Sequence, residues 1–138
     1  MLRNYEALST EVNLLGVIKA RELIGRYLNR TNLTYYSELS RLTGCEIFVK
    51  HENHNPTGSF KIRGAINFFH HMSKEESQGG ILVATRGNHG LAMACAGRWF
   101  DVPCTVVVPE RNNPEINRIV ESFGAELIVH GEDFYDAQ

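Results

Sequence analysis

The sequence predicts an α/β fold, a parallel sheet with βαβ crossovers. Three observations predict it. Apolar runs at 81–84, 104–108 and 126–130 recur at about 22-residue spacing and are short enough for fully buried strands. The segments between them are helical in pattern, and one opens with proline at its first position, after Asn113. Parallel neighbours need crossovers of this length, and such crossovers are right-handed.

In chain order, residues 11–28 space Val12, Leu15, Ile18, Leu23, Ile24 and Leu28 as a helix would, with Lys19, Arg21, Glu22 and Arg26 mostly on another face. Asn29 to Asn32 break that pattern. Tyr35 to Leu42 reads as a short helix closed by Gly44, and 45–50 as a strand. Residues 51–58 are rich in turn formers. Ser59 reads as an N-cap for a helix reaching about His71, with Phe60, Ile62, Ala65, Ile66, Phe68 and Phe69 in helical register. Ser73 and Glu76 fit a capping box. After Gly79-Gly80 come the strand 81–84, a loop at 85–90, a small-residue helix at 91–98 and the strand 104–108. A helix ending near Phe123-Gly124 and the strand 126–130 follow, and Asp133 opens a further element.

Composition excludes several classes. A chain of 138 residues with 43% hydrophobic and 22% charged residues is that of an ordinary globular domain. A net charge of −2 gives no sign of a nucleic-acid or acidic-membrane partner, and no apolar run approaches the ~20 residues of a membrane span. The start of the chain lacks the layout of a signal peptide. Cys45, Cys95 and Cys104 are odd in number and widely spaced, which reads as buried thiols in the cytoplasm. His51-Glu52-Asn53-His54 lacks metal-ligand spacing, and His70-His71 is more often a solvated helix end than a metal site. Glu52 is expected to pair with a nearby lysine or to cap a backbone amide.

Two loops carry candidate chemistry. Lys61 falls in the first turn of its helix, where the positive end of the macrodipole disfavours an ammonium and favours a nucleophilic amine. An ordinary surface lysine on a capped helix is the plain alternative. The loop Thr85-Arg86-Gly87-Asn88-His89-Gly90 lies beyond the C-terminal end of a strand and ahead of a helix, where ligands of open parallel sheets sit. Its hydroxyl, guanidinium, amide and imidazole suit an anion of carboxylate or phosphate size. A plain turn capped by Asn88 is the alternative there. Neither a P-loop nor a Gly-x-Gly-x-x-Gly is present.

Lys50-His51-Glu52-Asn53-His54-Asn55-Pro56-Thr57-Gly58-Ser59-Phe60-Lys61-Ile62-Arg63-Gly64-Ala65 resembles the Schiff-base segment of fold type II pyridoxal-phosphate enzymes, within them the threonine/serine dehydratase and serine racemase branch. Ala84-Thr85-Arg86-Gly87-Asn88-His89-Gly90 is similar to that family's asparagine loop, at the family's separation. The resemblance implies a Schiff base between Lys61 and pyridoxal 5'-phosphate, with Lys61 then acting as base at the substrate α-carbon. Phe60 would lie against the cofactor ring and Asn88 would bond its phenolic oxygen. Thr85, Gly87, Asn88 and His89 would hold the carboxylate of an amino acid substrate, with Arg86 in the same loop. Arg86 stands where racemases of this branch have a serine, which weighs against racemisation. Leu91 and Asn32 replace a common glutamine and proline.

The family's members are more than twice as long, so the resemblance implies an N-terminal portion: residues 1–79 as part of the large domain and 80–138 as an incomplete small α/β domain. It also implies that the phosphate cup is missing, that this chain alone has little activity, and that an incomplete sheet edge invites homo-oligomer formation. A non-catalytic amino-acid-binding or interaction module that keeps the fold is the alternative function.

Overall fold

The computed structural model describes residues 13–138. Helices α1 (Leu14–Ile24), α2 (Ser37–Thr43), α3 (Lys61–His70), α4 (Lys74–Gly79), α5 (Asn88–Phe100), α6 (Pro114–Ser122) and α7 (Phe134–Ala137) alternate with strands β1 (Leu33–Tyr35), β2 (Phe48–Lys50), β3 (Ile81–Ala84), β4 (Cys104–Val108) and β5 (Glu126–Val129). The three expected strands form one parallel sheet in the order β3-β4-β5, registered Ile81 to Cys104 and Thr105 to Glu126. Helix α5 crosses from β3 to β4, and α6 from β4 to β5.

A second sheet was not legible in the sequence. β1 and β2 pair antiparallel, Leu33 opposite Lys50 and Tyr35 opposite Phe48. Tyr35 therefore ends a strand, where a helix over 35–42 was expected, and α2 begins only at Ser37. Pairing decided this. Isolated three-residue strands carry almost no periodic signal, and each here depends on the other for its hydrogen bonds. Strand β2 is likewise shorter than the 45–50 expected, and β5 stops at Val129.

Helix α1 is shorter than the pattern over 11–28. Asn13 caps it by accepting from the Gly16 N–H, and it stops at Ile24. Val12 lies outside the described residues. Leu28 still reaches the core, brought there by a turn in which its N–H donates to Ile24 O at 2.9 Å. Most of the apolar stripe of α1 faces outward: Leu14, Leu15, Val17 and Ile18 are exposed, and only Leu23 is buried.

The core lies where α3 and α5 meet the sheet. Ile62, Ala65, Ile66 and Phe69 on α3 face Leu91 to Ala96 on α5, and Val106 and Val108 of β4 close the other side. One apolar cluster thus runs through residues from both sides of Gly79-Gly80. Helix α5 is buried from Gly90 to Gly97, which explains its small side chains: both a sheet and a helix press on it. An added Cβ at Gly97 would meet Cys104 Sγ at 2.3 Å. Burial raises the thiols of Cys95 and Cys104 to about 11, so both are inert hydrophobes. Cys45 is exposed, against the expectation of a buried thiol, because it sits in the connection before β2 and not within the strand.

The capping box at α4 is present: Ser73 Oγ accepts from the Glu76 N–H at 3.2 Å and Glu76 Oε2 from the Ser73 N–H at 2.8 Å. Ser73→Ala is expected to lower stability by about 1 kcal/mol, read by urea denaturation.

Candidate active site

Lys61 is the first residue of α3, as its position after the turn formers predicted. The cap differs from expectation. Phe60 already has helical backbone, and Ser59 Oγ accepts the Lys61 N–H only at 3.4 Å. The turn before it is set by Gly58, whose φ of +66° suits glycine and whose N–H donates to Asn55 O at 2.8 Å. Phe60 is 60% exposed, and Lys61 Nζ lies 5.3 Å from its ring centroid. An amine and an apolar ring therefore stand together at the surface, on a rigid helix start.

The second loop is anchored at the end of β3. The Thr85 N–H donates to Val107 O at 3.0 Å, and its buried hydroxyl accepts from the Gly87 N–H at 3.3 Å. Helix α5 then begins at Asn88, three residues earlier than periodicity indicated, because its first turn is polar and solvent-facing. Asn88 is thus not the N-cap. Gly87 occupies that place with no side-chain cap. The first i→i−4 bond runs from Leu91 N–H to Gly87 O at 3.3 Å, so the N–H groups of Asn88, His89 and Gly90 lie ahead of the ladder. Arg86, Asn88 and His89 are exposed. Gly90 lets this turn sit close on the strand: an added Cβ would lie 2.4 Å from Thr85 Cγ2.

Helices α3 and α5 pack together in the core, and Lys61 at the start of one lies near enough to His89 at the start of the other for its charge to act on the imidazole. Partial burial lowers the pKa of His89, and the nearby charge of Lys61 lowers it further. The folded state thus favours neutral imidazole. Its contribution to stability is complete above pH 6.5 and is lost as the pH falls through the lowered midpoint.

Sequence reasoning missed a hub beside this site. Glu52 takes two bonds from Arg63, at 2.6 and 2.9 Å, where a lysine partner had been expected. The expected lysine partner is present as well, more loosely: Lys50 Nζ pairs with Glu52 Oε1 at 4.0 Å and also donates to Thr31 O. The Arg63 bonds, aided by Thr31 and Asn55, hold the Glu52 carboxyl down at about 2, against desolvation that opposes the shift. A signal was available: the acid precedes the breaker-rich turn and the guanidinium follows it. Because the folded pKa is depressed, this contribution is full above about pH 4.5 and fades as the pH falls towards 2. Glu52→Gln is expected to cost about 2 kcal/mol at pH 7, allowing for screening by water, and to flatten acid unfolding followed by circular dichroism.

Thr57 was also missed. It is buried, and its hydroxyl oxygen has no hydrogen-bond partner among the described residues. Thr57→Val is expected to raise stability by about 1 kcal/mol, measured as a higher melting temperature.

The residues suit one end of pyridoxal phosphate: an amine for its aldehyde, an exposed ring, and the Asn88 amide, which no hydrogen bond engages among the described residues. Gly79-Gly80 does not serve its phosphate. Gly80 closes α4 at φ +70°, and Pro103 O would lie 2.9 Å from an added Cβ. Among the described residues no cluster of His, Cys, Asp and Glu could hold a metal ion, and no helix is long and apolar enough to cross a membrane.

The chain is similar to known proteins over most of its length. L-threonine ammonia-lyase of Thermotoga maritima is 40% identical over 128 residues, covering 91% of this chain and 31% of the relative. The crystal structure of serine racemase from Dictyostelium discoideum superposes with a TM-score of 0.82 at 32% identity, covering 91% of this chain and 41% of that one. A fungal L-serine ammonia-lyase from Rhizomucor miehei gives 0.68 at 31% identity over 79% of this chain and 35% of that one. The chain spans about a third of the length of the curated relatives it matches. Residues 24–138 match the family described as pyridoxal-phosphate dependent enzyme, and the chain belongs to that family.

Proposed function

We propose that this chain is the N-terminal portion of a pyridoxal-phosphate dependent threonine/serine ammonia-lyase. The observation that carries the reading is that Lys61, at the start of α3, lies near enough to His89, in the first turn of α5, for its charge to act on that imidazole. Names borne by the relatives, L-threonine ammonia-lyase and L-serine ammonia-lyase, support the reaction class.

Lys61, Phe60 and Asn88 would hold the cofactor. When bound, pyridoxal phosphate supplies an electron sink that acidifies the substrate α-carbon. Lys61 Nζ removes the α proton. Thr85, Arg86, Gly87, Asn88 and His89 form the cradle for the substrate carboxylate, with the free N–H groups of the α5 start turned to account. Neutral His89 fits a role as donor to the carboxylate, leaving Arg86 as the formal charge in the loop. Overall, a β-hydroxy amino acid loses its α proton and its hydroxyl as water, and hydrolysis of the remaining enamine gives a 2-oxo acid and ammonia.

The reading assigns 1–79 to the large domain and 80–138 to the small one. It places the protein in the cytoplasm, with β3 and β5 as sheet edges open to a second chain. Since no described residue is arranged to hold the phosphate, turnover of L-threonine or L-serine by the 138-residue chain alone is expected to be undetectable in a 2-oxo acid assay. The test of the site itself is chemical. Pyridoxal phosphate is added, the adduct is reduced with borohydride, and peptides are mapped by mass. Label concentrated on Lys61 supports the reading. Label spread evenly over Lys19, Lys50, Lys61 and Lys74, or absent while amino acids still bind, favours a non-catalytic module.

A further inference from the structure

One carboxylate organises the approach to Lys61. Glu52 Oε2 accepts from Arg63 Nε at 2.6 Å and from Asn55 Nδ2 at 2.7 Å. Its Oε1 accepts from Arg63 Nη2 at 2.9 Å and from Thr31 Oγ1 at 2.6 Å. The donors come from three separate places: the connection before β1, the turn ahead of α3, and the first turn of α3. Asn55 passes the link onward, since its Nδ2 also donates to Ser59 O at 3.2 Å. Lys61 is therefore bracketed. Ser59 is tethered on one side of it and Arg63 on the other, both to the same carboxylate.

We propose that Glu52 is a positioning residue, whose carboxylate fixes the backbone that carries Lys61 by clamping the turn before the lysine to the helix after it. The inference rests on reading Lys61 as the amine that takes the cofactor. A lysine side chain is long, flexible and here exposed, so the fold controls its reach chiefly through where its backbone is held. Placement matters at this scale, because a displacement of about 1 Å can lower a reaction rate by about a hundredfold. A bidentate arginine pair gives that hold directional stiffness that a lysine partner would lack. The clamp also spans the turn at Gly58, whose φ is +66°.

The test reads the position of the Lys61 ammonium without any cofactor. His89 senses that charge, and its protonation midpoint is measured by NMR in the full 138-residue chain. Removing the Glu52 carboxylate has a direct effect that lowers the midpoint, whereas release of Lys61 from its place raises it. The direct effect is measured alone in Lys61→Met. The expected result is that Glu52→Gln moves the His89 midpoint upward by about 0.2 pH unit more in the Lys61 chain than in the Lys61→Met chain. Equal changes in the two backgrounds overturn the proposal, and a loss of stability alone would produce that equality. If Glu52→Gln does not fold, Asn55→Ala severs the relay to Ser59 while keeping the ion pair, and the same comparison decides. Borohydride labelling is scored apart. A wild-type chain that takes no label on Lys61 defeats the cofactor reading, while the His89 comparison still supports or overturns the clamp.

Discussion

Lys61→Ala is expected to lower borohydride-stable pyridoxal labelling at least about tenfold, with no loss of stability beyond about 0.5 kcal/mol. The two halves of that result have different causes. Lys19, Lys50 and Lys74 are exposed like Lys61, so exposure alone predicts equal labelling of four amines. Only Lys61 combines a helix start, an adjacent aromatic ring and a neighbouring imidazole. Stability should hold because Lys61 is exposed, and a cation at the positive end of a helix contributes nothing favourable. Peptide mass mapping and thermal unfolding check the two halves separately. Removal of label together with collapse of the fold would mean that Lys61 is structural.

Gly90→Ala is expected to destabilise the chain by about 2 kcal/mol and to disturb the Thr85 turn. Alanine gains about 1 kcal/mol over glycine from helix propensity alone. Against that, the new Cβ would stand 2.4 Å from Thr85 Cγ2 and 3.1 Å from Val106 Cγ1, both on β-branched side chains with restricted rotation. Overpacking of this kind costs about 1–3 kcal/mol, and here it must also move a backbone held by Thr85 N–H to Val107 O. Gly64→Ala is the control. It lies within α3 with nothing within 4 Å of an added Cβ, so only the propensity gain operates and stability should rise by up to about 1 kcal/mol. Urea denaturation of both variants separates the two effects. Equal shifts in the same direction would show that packing at Gly90 is unimportant.

The parallel sheet was legible because its strands appear as short apolar runs, although only Cys104–Val108 is buried along its length, and Leu82, Ile128 and Val129 on the outer strands are exposed. The start of α3 was legible because turn residues and a helical stripe meet at one point. The segment from Thr85 to Gly90 stood out as a candidate site because it follows the end of β3 and opens α5. Less visible were the first turn of α5, whose polar residues hide its helical state, and the β1–β2 pair, whose residues are largely exposed. An exposed short strand lacks the alternation that burial imposes on sequence.

By itself, the sequence determined the order of the main elements from α3 to β5, the α/β class and the two segments that carry the candidate chemistry, since each depends on local pattern and spacing. Tertiary structure alone decided what those segments do to one another. Partial burial and, after it, the charge of Lys61 lower the pKa of His89 because α3 and α5 pack together, and Glu52 reaches Arg63, Thr31 and Asn55 only because three chain segments converge on it. Periodicity reports which face of an element is buried. It is silent about which distant side chains that burial brings within a few ångströms, and that silence covered the groups that hold Lys61 in place.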